Sequence, residues 1–220
     1  MTVSELIIQL KQMVDESTTG SYPTDAECID WLNEAQNIVA EELECLTEIV
    51  SSDVDVSEAT TIAVPSDFMR CQGLVWDADG THNYLTNVEL QDLTEKSYDL
   101  TATGVPSYFY IYDGYIRFYP VPSADTDYVL YYIKAPMDLS TAASTPEIAA
   151  RLHRLLAVYG AYRFWMKEEE PDMAAGFYGE FREGVDRARV RQKRRHKRNR
   201  VSYLFTSFTS KDDEKGQEPG

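Results

Sequence analysis

Hydrophobic residues recur every three or four positions near both ends of the chain, whereas they alternate with polar residues in its middle. The first pattern is typical of amphipathic helices, and the second is typical of half-buried strands. At the N-terminal end the pattern predicts one helix over residues 3–16 and a second over residues 24–46. Thr2 and Glu5 have the spacing of a capping box, in which two residues satisfy free amides at the start of a helix.

Two further helices are predicted near the C-terminus. One begins at Pro146 with Thr145 as its N-cap, and the other begins at Pro171, because proline is favoured in the first turn of a helix. Each glycine within the last helix costs about 1 kcal/mol relative to alanine, and we expect close packing against a neighbouring helix to compensate for it. The glycines concerned are Gly176, Gly179 and Gly184.

Strand-like alternation begins near residue 51 and is interrupted by proline, glycine and acidic turn residues. The predicted strands cover residues 60–64, 68–76, 82–85 and 128–134, with a short helical turn over residues 88–93. Aromatic and β-branched residues also flank Asp113-Gly114, which is the strongest short-range signal for a tight β-hairpin. The middle of the chain is therefore predicted to be a β module inserted between helices.

Charge is distributed very unevenly along the chain. The sequence has 37 acidic and 21 basic residues and a formal net charge of −16. Nine of the basic residues lie between Arg187 and Arg200, a stretch without any acid, so the rest of the chain carries −25. An acidic body of this kind repels nucleic acid, whereas the basic stretch attracts phosphates or an acidic protein surface.

The other bulk features indicate a globular protein of the cytosol. A chain of 220 residues can bury one core, or one core and a smaller second one. No run approaches the roughly 18 apolar residues that cross a membrane, and the first residues lack the basic start of a secretory signal. Cys28, Cys45 and Cys71 follow no disulfide or zinc pattern, so we expect reduced thiols.

No catalytic motif stands out in the sequence. His82, His153 and His196 have no metal-ligand spacing, and the chain lacks Gly-x-Ser-x-Gly, phosphate-loop and His-Glu-x-x-His patterns. Pairs of carboxylates are expected by chance in a chain with so many acids. We therefore expect no enzyme activity, no cofactor and no metal, and a hydrolase is the enzymatic alternative.

Six short motifs follow one another along the chain. They are Trp31-Leu32-Asn33-Glu34-Ala35, Val64-Pro65-Ser66-Asp67-Phe68, Gly104-x-Pro106-x-Tyr108-x-Tyr110, Ile116-x-Phe118-Tyr119-Pro120-x-Pro122, Tyr128-x-Leu130-x-Tyr132 and Ala135-Pro136-x-x-Leu139. A tyrosine-rich helix pair from Pro146 to Arg187 completes the series, which covers roughly residues 25–188. In this order and spacing, the set resembles the phage head-to-tail adaptor family, also called head completion or connector proteins.

The resemblance implies a structural virion protein without a catalytic site. Members of this family form a ring, usually of about twelve copies, beneath the portal of the capsid, where they extend the DNA channel and provide a platform for the tail. The implied fold is a helical bundle with a β module. Together with the predicted elements, this gives an α+β fold: a four-helix bundle of two N-terminal and two C-terminal helices with an inserted antiparallel β module. The extended basic C-terminal arm is a feature of this sequence and of no family motif. The implied partners are the portal protein, further copies of the chain, a tail or nozzle protein and packaged DNA, with no membrane. The implied location is the head–tail neck of the virion, and the host cytoplasm during assembly.

This interpretation divides the chain into five segments. Residues 1–53 and 137–186 form the bundle, residues 54–136 the β module, residues 187–210 a basic arm with an aromatic docking tail, and residues 211–220 a disordered tail. The order of elements is two helices, four to six strands and two helices, without an internal repeat.

The basic arm, residues 187–200, permits three interpretations. It is a solvated extension, a segment that docks on an acidic portal surface, or a segment that contacts the phosphates of DNA in the channel. Portal docking is favoured because the charges of the arm repel one another until a partner neutralises them. The candidate binding residues are Arg187, Arg189, Arg191, Lys193, Arg194, Arg195, Lys197, Arg198 and Arg200.

An apolar, strand-like segment follows the arm and contains Tyr203, Leu204, Phe205 and Phe208. One hypothesis is that this aromatic tail is a docking peptide that adds to the sheet edge of a partner. The alternative is that the tail folds back on its own body, and both stay open at this stage.

The two faces of the predicted hairpin differ in composition. Tyr108, Tyr110 and Tyr112 share one face, while Phe109 and Ile111 share the other. We expect the apolar set to be core and the tyrosines to lie at the interface between ring subunits, where tyrosine is enriched. A core position and stacking on a carbohydrate are the alternatives for the tyrosines.

Two other functions compete with the adaptor role. One is a nucleic-acid-binding module that acts through its basic arm, and the other is a different neck component, such as a stopper or a tail terminator. Deletion of the arm distinguishes the adaptor from the nucleic-acid-binding module. An adaptor without its arm would still fold but would not attach to the portal. A DNA-binding module without its arm would lose its salt-dependent affinity for duplex of any sequence.

Overall fold

The computed structural model describes residues 1–19, 21–54, 61–78, 81–95 and 98–209. Within these ranges, only the backbone is described for residues 52–54, 77–78, 81, 126 and 195–209. The chain divides into two compact units. Residues 1–43 and the part from residue 138 onward form a helical unit, and residues 44–137 form a β unit.

Five α-helices and one 3-10 turn occur in the described ranges. The helices are α1 (Val3–Met13), α2 (Asp25–Leu43), α3 (Leu90–Glu95), α4 (His153–Lys167) and α5 (Pro171–Thr209), and the 3-10 turn is Ala150–Leu152. The strands are β1 (Thr47–Val54), β2 (Thr61–Ala63), β3 (Phe68–Ala78), β4 (Thr81–Asn87), β5 (Thr103–Gly104), β6 (Tyr108–Tyr112), β7 (Tyr115–Tyr119), β8 (Val121–Pro122) and β9 (Thr126–Lys134).

Seven of the strands form one curled sheet in the order β1-β9-β3-β4-β6-β7-β2. Neighbouring strands in this sheet are antiparallel, apart from the parallel pair of β4 and β6. Strands β5 and β8 form a separate parallel pair. The pairing of β4 with β6 places the aromatic hairpin in the same sheet as β3 and β9.

The predicted fold class, a four-helix bundle with an inserted antiparallel β module, is wrong. The described chain is a mixed α/β protein with a large curled sheet of seven strands and five helices. Strand β1 was missed because the predicted second helix continued to residue 46, whereas Glu44 adopts a left-handed conformation (φ 47°) that ends α2 at Leu43. The parallel pairing of β4 with β6 joins distant segments and has no local sequence signal.

The cap signals at the N-terminal helices are confirmed. Thr2 accepts a hydrogen bond from the Glu5 amide at 3.3 Å and donates its own amide to the Glu5 carboxylate at 3.0 Å. Thr24 and Glu27 repeat this pair at the start of α2 with the same two distances. Because each pair satisfies two amides that the helix leaves free, these starts are determined locally.

The predicted helix start at Pro146 is wrong, because α4 begins at His153 after the 3-10 turn. The preceding segment serves α1 instead: the carbonyls of Ala142 and Ser144 accept hydrogen bonds from the amides of Ser4 and Val3, at 3.0 and 2.9 Å. These amides lie in the first turn of α1 and have no partner within their own helix. The start predicted for the last helix, at Pro171, is confirmed.

The core of the helical unit forms where α4 contacts α1, α2 and α5. Its fully buried side chains include Val3, Leu6, Leu10, Leu32, Val39, Leu156 and Val185. A methyl group on Gly160 of α4 would overlap the side chain of Leu10, and one on Gly184 of α5 would overlap that of Leu155. Close packing therefore compensates for Gly184, whereas Gly176 and Gly179 have no atom within 4 Å of such a methyl group.

The β unit has its own core on one face of the sheet. Nine buried side chains form it: Leu74, Trp76, Leu85, Phe109, Ile116, Phe118, Tyr128, Leu130 and Tyr132. The rings of Trp76 and Phe118 meet edge to face with centroids 4.9 Å apart. Tyr132 donates a hydrogen bond to Asp67 at 2.9 Å, and burial together with this contact raises the pKa of Tyr132 to about 12. The phenol is therefore a stable donor inside the core.

We expect Gly160→Ala to lower the free energy of unfolding by up to about 2 kcal/mol. Overpacking a core costs about 1–3 kcal/mol, which exceeds the gain of about 1 kcal/mol in helix propensity. Gly179→Ala is the matched control, since it lies on the exposed side of α5 and should raise the stability by up to about 1 kcal/mol. Urea denaturation of both variants measures the difference, and equal stabilities would contradict the close packing of α4 on α1.

Candidate functional site

Helix α5 carries the predicted basic arm at its C-terminal end. The helix has 39 residues, which corresponds to about 58 Å at a rise of 1.5 Å per residue. Its buried side chains include Ala174, Phe181 and Val185, which lie on one face. None of the side chains described after Val185 is buried, so the packed part of α5 ends where the arm begins.

One carboxylate of α2 anchors the base of the arm. Glu42 accepts hydrogen bonds from Arg182 and from Arg189, the latter at 2.5 Å. The two arginines lie two helical turns apart and therefore on the same side of α5. The side chain of Glu42 is only 22% exposed, and its hydrogen bond raises the pKa of Arg182. Arg189 also forms an ion pair with Asp186 at 3.1 Å.

The predicted arm residues therefore fall into three groups. Arg187 and Arg189 pair with acids of the chain itself, since Arg187 contacts Glu183 one turn earlier. Arg191, Lys193 and Arg194 are exposed, and within the described ranges they have no carboxylate partner. The side chains of Arg195, Lys197, Arg198 and Arg200 lie outside the described part, although their backbone continues the helix. The structure thus places the start of the unpaired cations at Arg191 rather than at Arg187.

The backbone of the aromatic tail is helical through Thr209, so the strand-like conformation predicted for it is wrong. The basic arm and the tail are parts of one continuous helix. The side chains of Tyr203, Leu204, Phe205 and Phe208 lie outside the described residues, as do residues 210–220. The docking role of the tail stays a prediction.

The aromatic hairpin has the tight turn that its sequence predicted. Asp113 and Gly114 both adopt positive φ angles, 54° and 74°, which is the requirement of a type I′ turn between antiparallel strands. The turn sets the register of β6 against β7. Tyr108 lies opposite Tyr119, Tyr110 opposite Arg117, and Tyr112 opposite Tyr115.

One face of the hairpin belongs to the core of the β unit. Phe109, Ile116 and Phe118 are at most 3% exposed and point into it. Ile111 was predicted to join them, but it is 37% exposed because it lies beside the turn at the end of the strand. The hairpin therefore contributes to the core through this face.

We call the opposite side the tyrosine face, and it consists of Tyr108, Tyr110, Tyr112, Tyr115, Arg117 and Tyr119. Tyr108 and Tyr110 are half-buried, whereas Tyr112 is 54% exposed. The ring of Tyr98 packs against that of Tyr119 with centroids 5.2 Å apart and extends the aromatic surface. The sequence analysis did not assign Tyr115, Arg117 and Tyr119 of β7 to the subunit interface. The register of a two-residue hairpin places them opposite the three tyrosines of β6 and could have identified them.

His153 and the charged residues of a groove in the helical unit make their contacts within the chain. His153 is buried and lies between the Ile148 carbonyl, 2.8 Å from Nε2, and the Met1 amino group, 3.1 Å from Nδ1. An open groove of about 380 Å³ is lined by Glu27, Trp31, Tyr162, Arg163, Met166 and Lys167. Its charged side chains pair with one another or with Glu34. Within the described residues, no group of three His, Cys, Asp or Glu side chains could hold a metal ion.

Comparison with known families identifies the chain. The model of the SU10 adaptor protein family matches residues 1–202. The chain belongs to the SU10 adaptor protein family. It is a phage structural adaptor and a component of the virion. No curated protein matches the chain.

The extent of the family match bears on the candidate surfaces of this adaptor. The match includes the tyrosine face and all nine cations of the basic arm, but it ends before the four residues of the aromatic tail. An adaptor connects other capsid or tail proteins, so its surfaces for partners are its functional sites. In the described ranges, no helix of the adaptor is long and apolar enough to cross a membrane.

We expect Glu42→Ala to lower the free energy of unfolding by about 1 kcal/mol, because the variant leaves two half-exposed arginines without their shared carboxylate. Glu183→Ala is the matched control: it removes an exposed ion pair of the same helix, and its effect should stay within about 0.5 kcal/mol. Thermal unfolding of both variants gives the comparison. Equal effects would show that Glu42 does not anchor the arm.

Glu27 should contribute to stability in a pH-dependent way. Its hydrogen bond with Lys167, followed by those with Thr24, lowers the pKa of Glu27 from 4.5 to about 2. A depressed carboxyl pKa stabilises the fold fully above the unfolded value, and this contribution is lost as the pH falls from 4.5 towards 2. The difference in urea midpoint between the adaptor and its Glu27→Gln variant should therefore shrink over this interval. A difference that stays constant would contradict the assignment.

Proposed function

We propose that this adaptor forms a ring of about twelve copies beneath the portal and that the exposed part of α5 attaches the ring to the portal. The observation that carries the proposal is the extension of α5 beyond its packed stripe, with unpaired cations on its surface. The ring would extend the DNA channel and give a platform to a tail or nozzle protein. The role is mechanical and involves no catalytic step, and assembly would take place in the host cytoplasm.

The unpaired cations favour an acidic protein surface as the partner of α5. Arg191 and Arg194 are one helical turn apart and repel each other, as does Lys193 with its neighbours. The acids of α2 neutralise α5 only as far as Arg189. An acidic patch on a partner would complete this neutralisation and fix the register of the helix on that partner.

The tyrosine face supports the ring. A ring needs a heterologous interface, in which one patch of each copy meets a different patch of the next copy. Half-buried tyrosines supply large contact areas with polar hydroxyl groups, and such residues are enriched in interfaces. We therefore assign Tyr108, Tyr110 and Tyr112 to the contact between subunits. The acidic body would line the channel and keep DNA from adhering as it passes.

The second candidate function is DNA binding through the same cations. The exposed charges of Arg191, Lys193 and Arg194, which have no carboxylate partner among the described residues, fit a phosphate backbone as well as they fit carboxylates. Another position in the neck, as a stopper or a tail terminator, would use the same surfaces with a different partner. The same cations would bind carboxylates on the portal or phosphates on DNA. One set of variants of these cations therefore tests both functions.

We expect the full-length chain to bind its cognate portal in about twelve copies, as measured by native mass spectrometry. Replacing Arg191, Lys193 and Arg194 with glutamine should weaken portal binding at least about tenfold, because three charged contacts are lost. Arg187→Gln is the matched control, since Arg187 already pairs with Glu183, and it should change the affinity less than about twofold. Unchanged thermal stability of the triple variant would show that it still folds.

The outcome for DNA separates the two functions. A DNA-binding module would bind duplex of any sequence with a steep salt dependence, and the triple variant would reduce the slope of log K against log salt by about 2.7. Absence of portal binding together with this salt-dependent binding would overturn the adaptor proposal. If the triple variant binds the portal as tightly as the parent chain, the adaptor role stands, but the attachment does not use these cations of α5.

A further inference from the structure

The tyrosine face contains one charged residue, Arg117, and this residue has no carboxylate partner in the part of the chain that the structure describes. Arg117 lies in the middle of β7, opposite Tyr110, with its guanidinium carbon 5.9 Å from the ring centroid of Tyr112. Its Nε is buried and has no hydrogen-bond acceptor in the part of the chain that the structure describes. A buried N–H group without an acceptor destabilises a protein, so such groups are rare unless a partner supplies the acceptor.

The other half-buried arginines among the described side chains differ from Arg117. Each of them forms an ion pair with a carboxylate: Arg163, Arg182 and Arg189. In a chain with 37 acids, a carboxylate near each arginine is the expected arrangement. Arg117 instead projects among tyrosines, where the residues opposite it on β2 and β6 are Thr61 and Tyr110. No ion pair of Arg117 occurs among the described residues.

We propose that the tyrosine face, with Arg117 at its centre, receives a carboxylate of a second copy of this chain. The inference rests on the proposed ring and adds the chemistry of its contact. Tyrosine and arginine are the residues most enriched at the energetic centres of interfaces. An arginine fork surrounded by aromatic rings binds a carboxylate with two hydrogen bonds while the rings exclude water.

Charge selects the second copy as the occupant. Outside the basic arm the chain carries −25, so a neighbouring copy offers an excess of carboxylates. A contact between two tyrosine faces is disfavoured, because it would bring the like charges of two Arg117 side chains together. The contact is therefore between unlike patches, which is the geometry that closes a ring.

Site-specific cross-linking tests the contact directly. Tyr112, which is 54% exposed, is replaced by the photoreactive p-benzoylphenylalanine in the full-length chain, alone at high concentration and bound to the portal. We expect cross-links between two copies that attach Tyr112 to a peptide containing Asp or Glu. Cross-links within one copy only, to the portal only, or between the two modified positions would overturn the inference.

A variant of Arg117 tests the role of its charge. Arg117→Gln should weaken the association between copies at least about tenfold, so that portals carry a spread of copy numbers instead of complete rings. Arg70→Gln is the matched control, because it removes an exposed arginine of the same unit that already pairs with Glu44. Complete rings with the Arg117→Gln variant would overturn the inference.

The two proposals fail in different ways. If the chain does not bind the portal, the proposed function fails, whereas cross-links between free copies at high concentration would still support the contact. If the chain fills the portal without any link between copies through Tyr112, the inference fails and the adaptor role stands. A thermal melt of each variant that matches the parent chain excludes unfolding as the cause.

Discussion

Helix α4 packs against α1, α2 and α5, and the arrangement of the helical unit depends on this packing. Tyr159 connects three of these helices: its hydroxyl donates to Glu34 of α2 at 2.7 Å, and its ring lies 5.0 Å from that of Phe181 on α5. Burial and the bond to Glu34 raise the pKa of Tyr159, so it remains a donor at all moderate pH values. The next residue, Gly160, lets Leu10 of α1 approach the backbone of α4. The base of α5 is connected to α4 by the contact of Phe181 with Tyr159.

The packing of α2 against α4 and α5 determines which cations of these two helices form ion pairs. Acids of α2 face the cations of α4 and α5 in sequence, with Glu27 near Lys167, Glu34 near Arg163, and Glu42 near Arg182 and Arg189. Beyond Arg189, the described cations Arg191, Lys193 and Arg194 have no carboxylate partner in the described part of the chain. The part of α5 up to Arg189 is anchored because Glu42, next to the last residue of α2, binds Arg182 and Arg189. The composition of the arm does not explain the difference, because cations occur on both sides of Arg189.

The two faces of the β6–β7 hairpin differ in burial and polarity. One face buries aliphatic and aromatic side chains in a common core. The other face of the β6–β7 hairpin leaves tyrosine rings half-buried around Arg117, which combines apolar contact area with unsatisfied polar groups. In the contact that we propose, a partner would remove water from the rings and supply a carboxylate to Arg117.

Local chemistry by itself determined the helix caps at Thr2 and Thr24, the helix start at Pro171 and the hairpin turn at Asp113-Gly114. Each of these depends on residues within a few positions of one another, and the family motifs likewise consist of short segments. The seven-stranded sheet and the end of α2 were decided by tertiary structure, because β1 and the β4–β6 pair are stabilised by segments far away in the chain. The same holds for the sites. The run of cations is visible in the sequence, but only the folded chain pairs Arg187 and Arg189 with acids, and in its described part Arg117 has no ion pair. Pairing of charges depends on distance in space, which the order of residues does not contain.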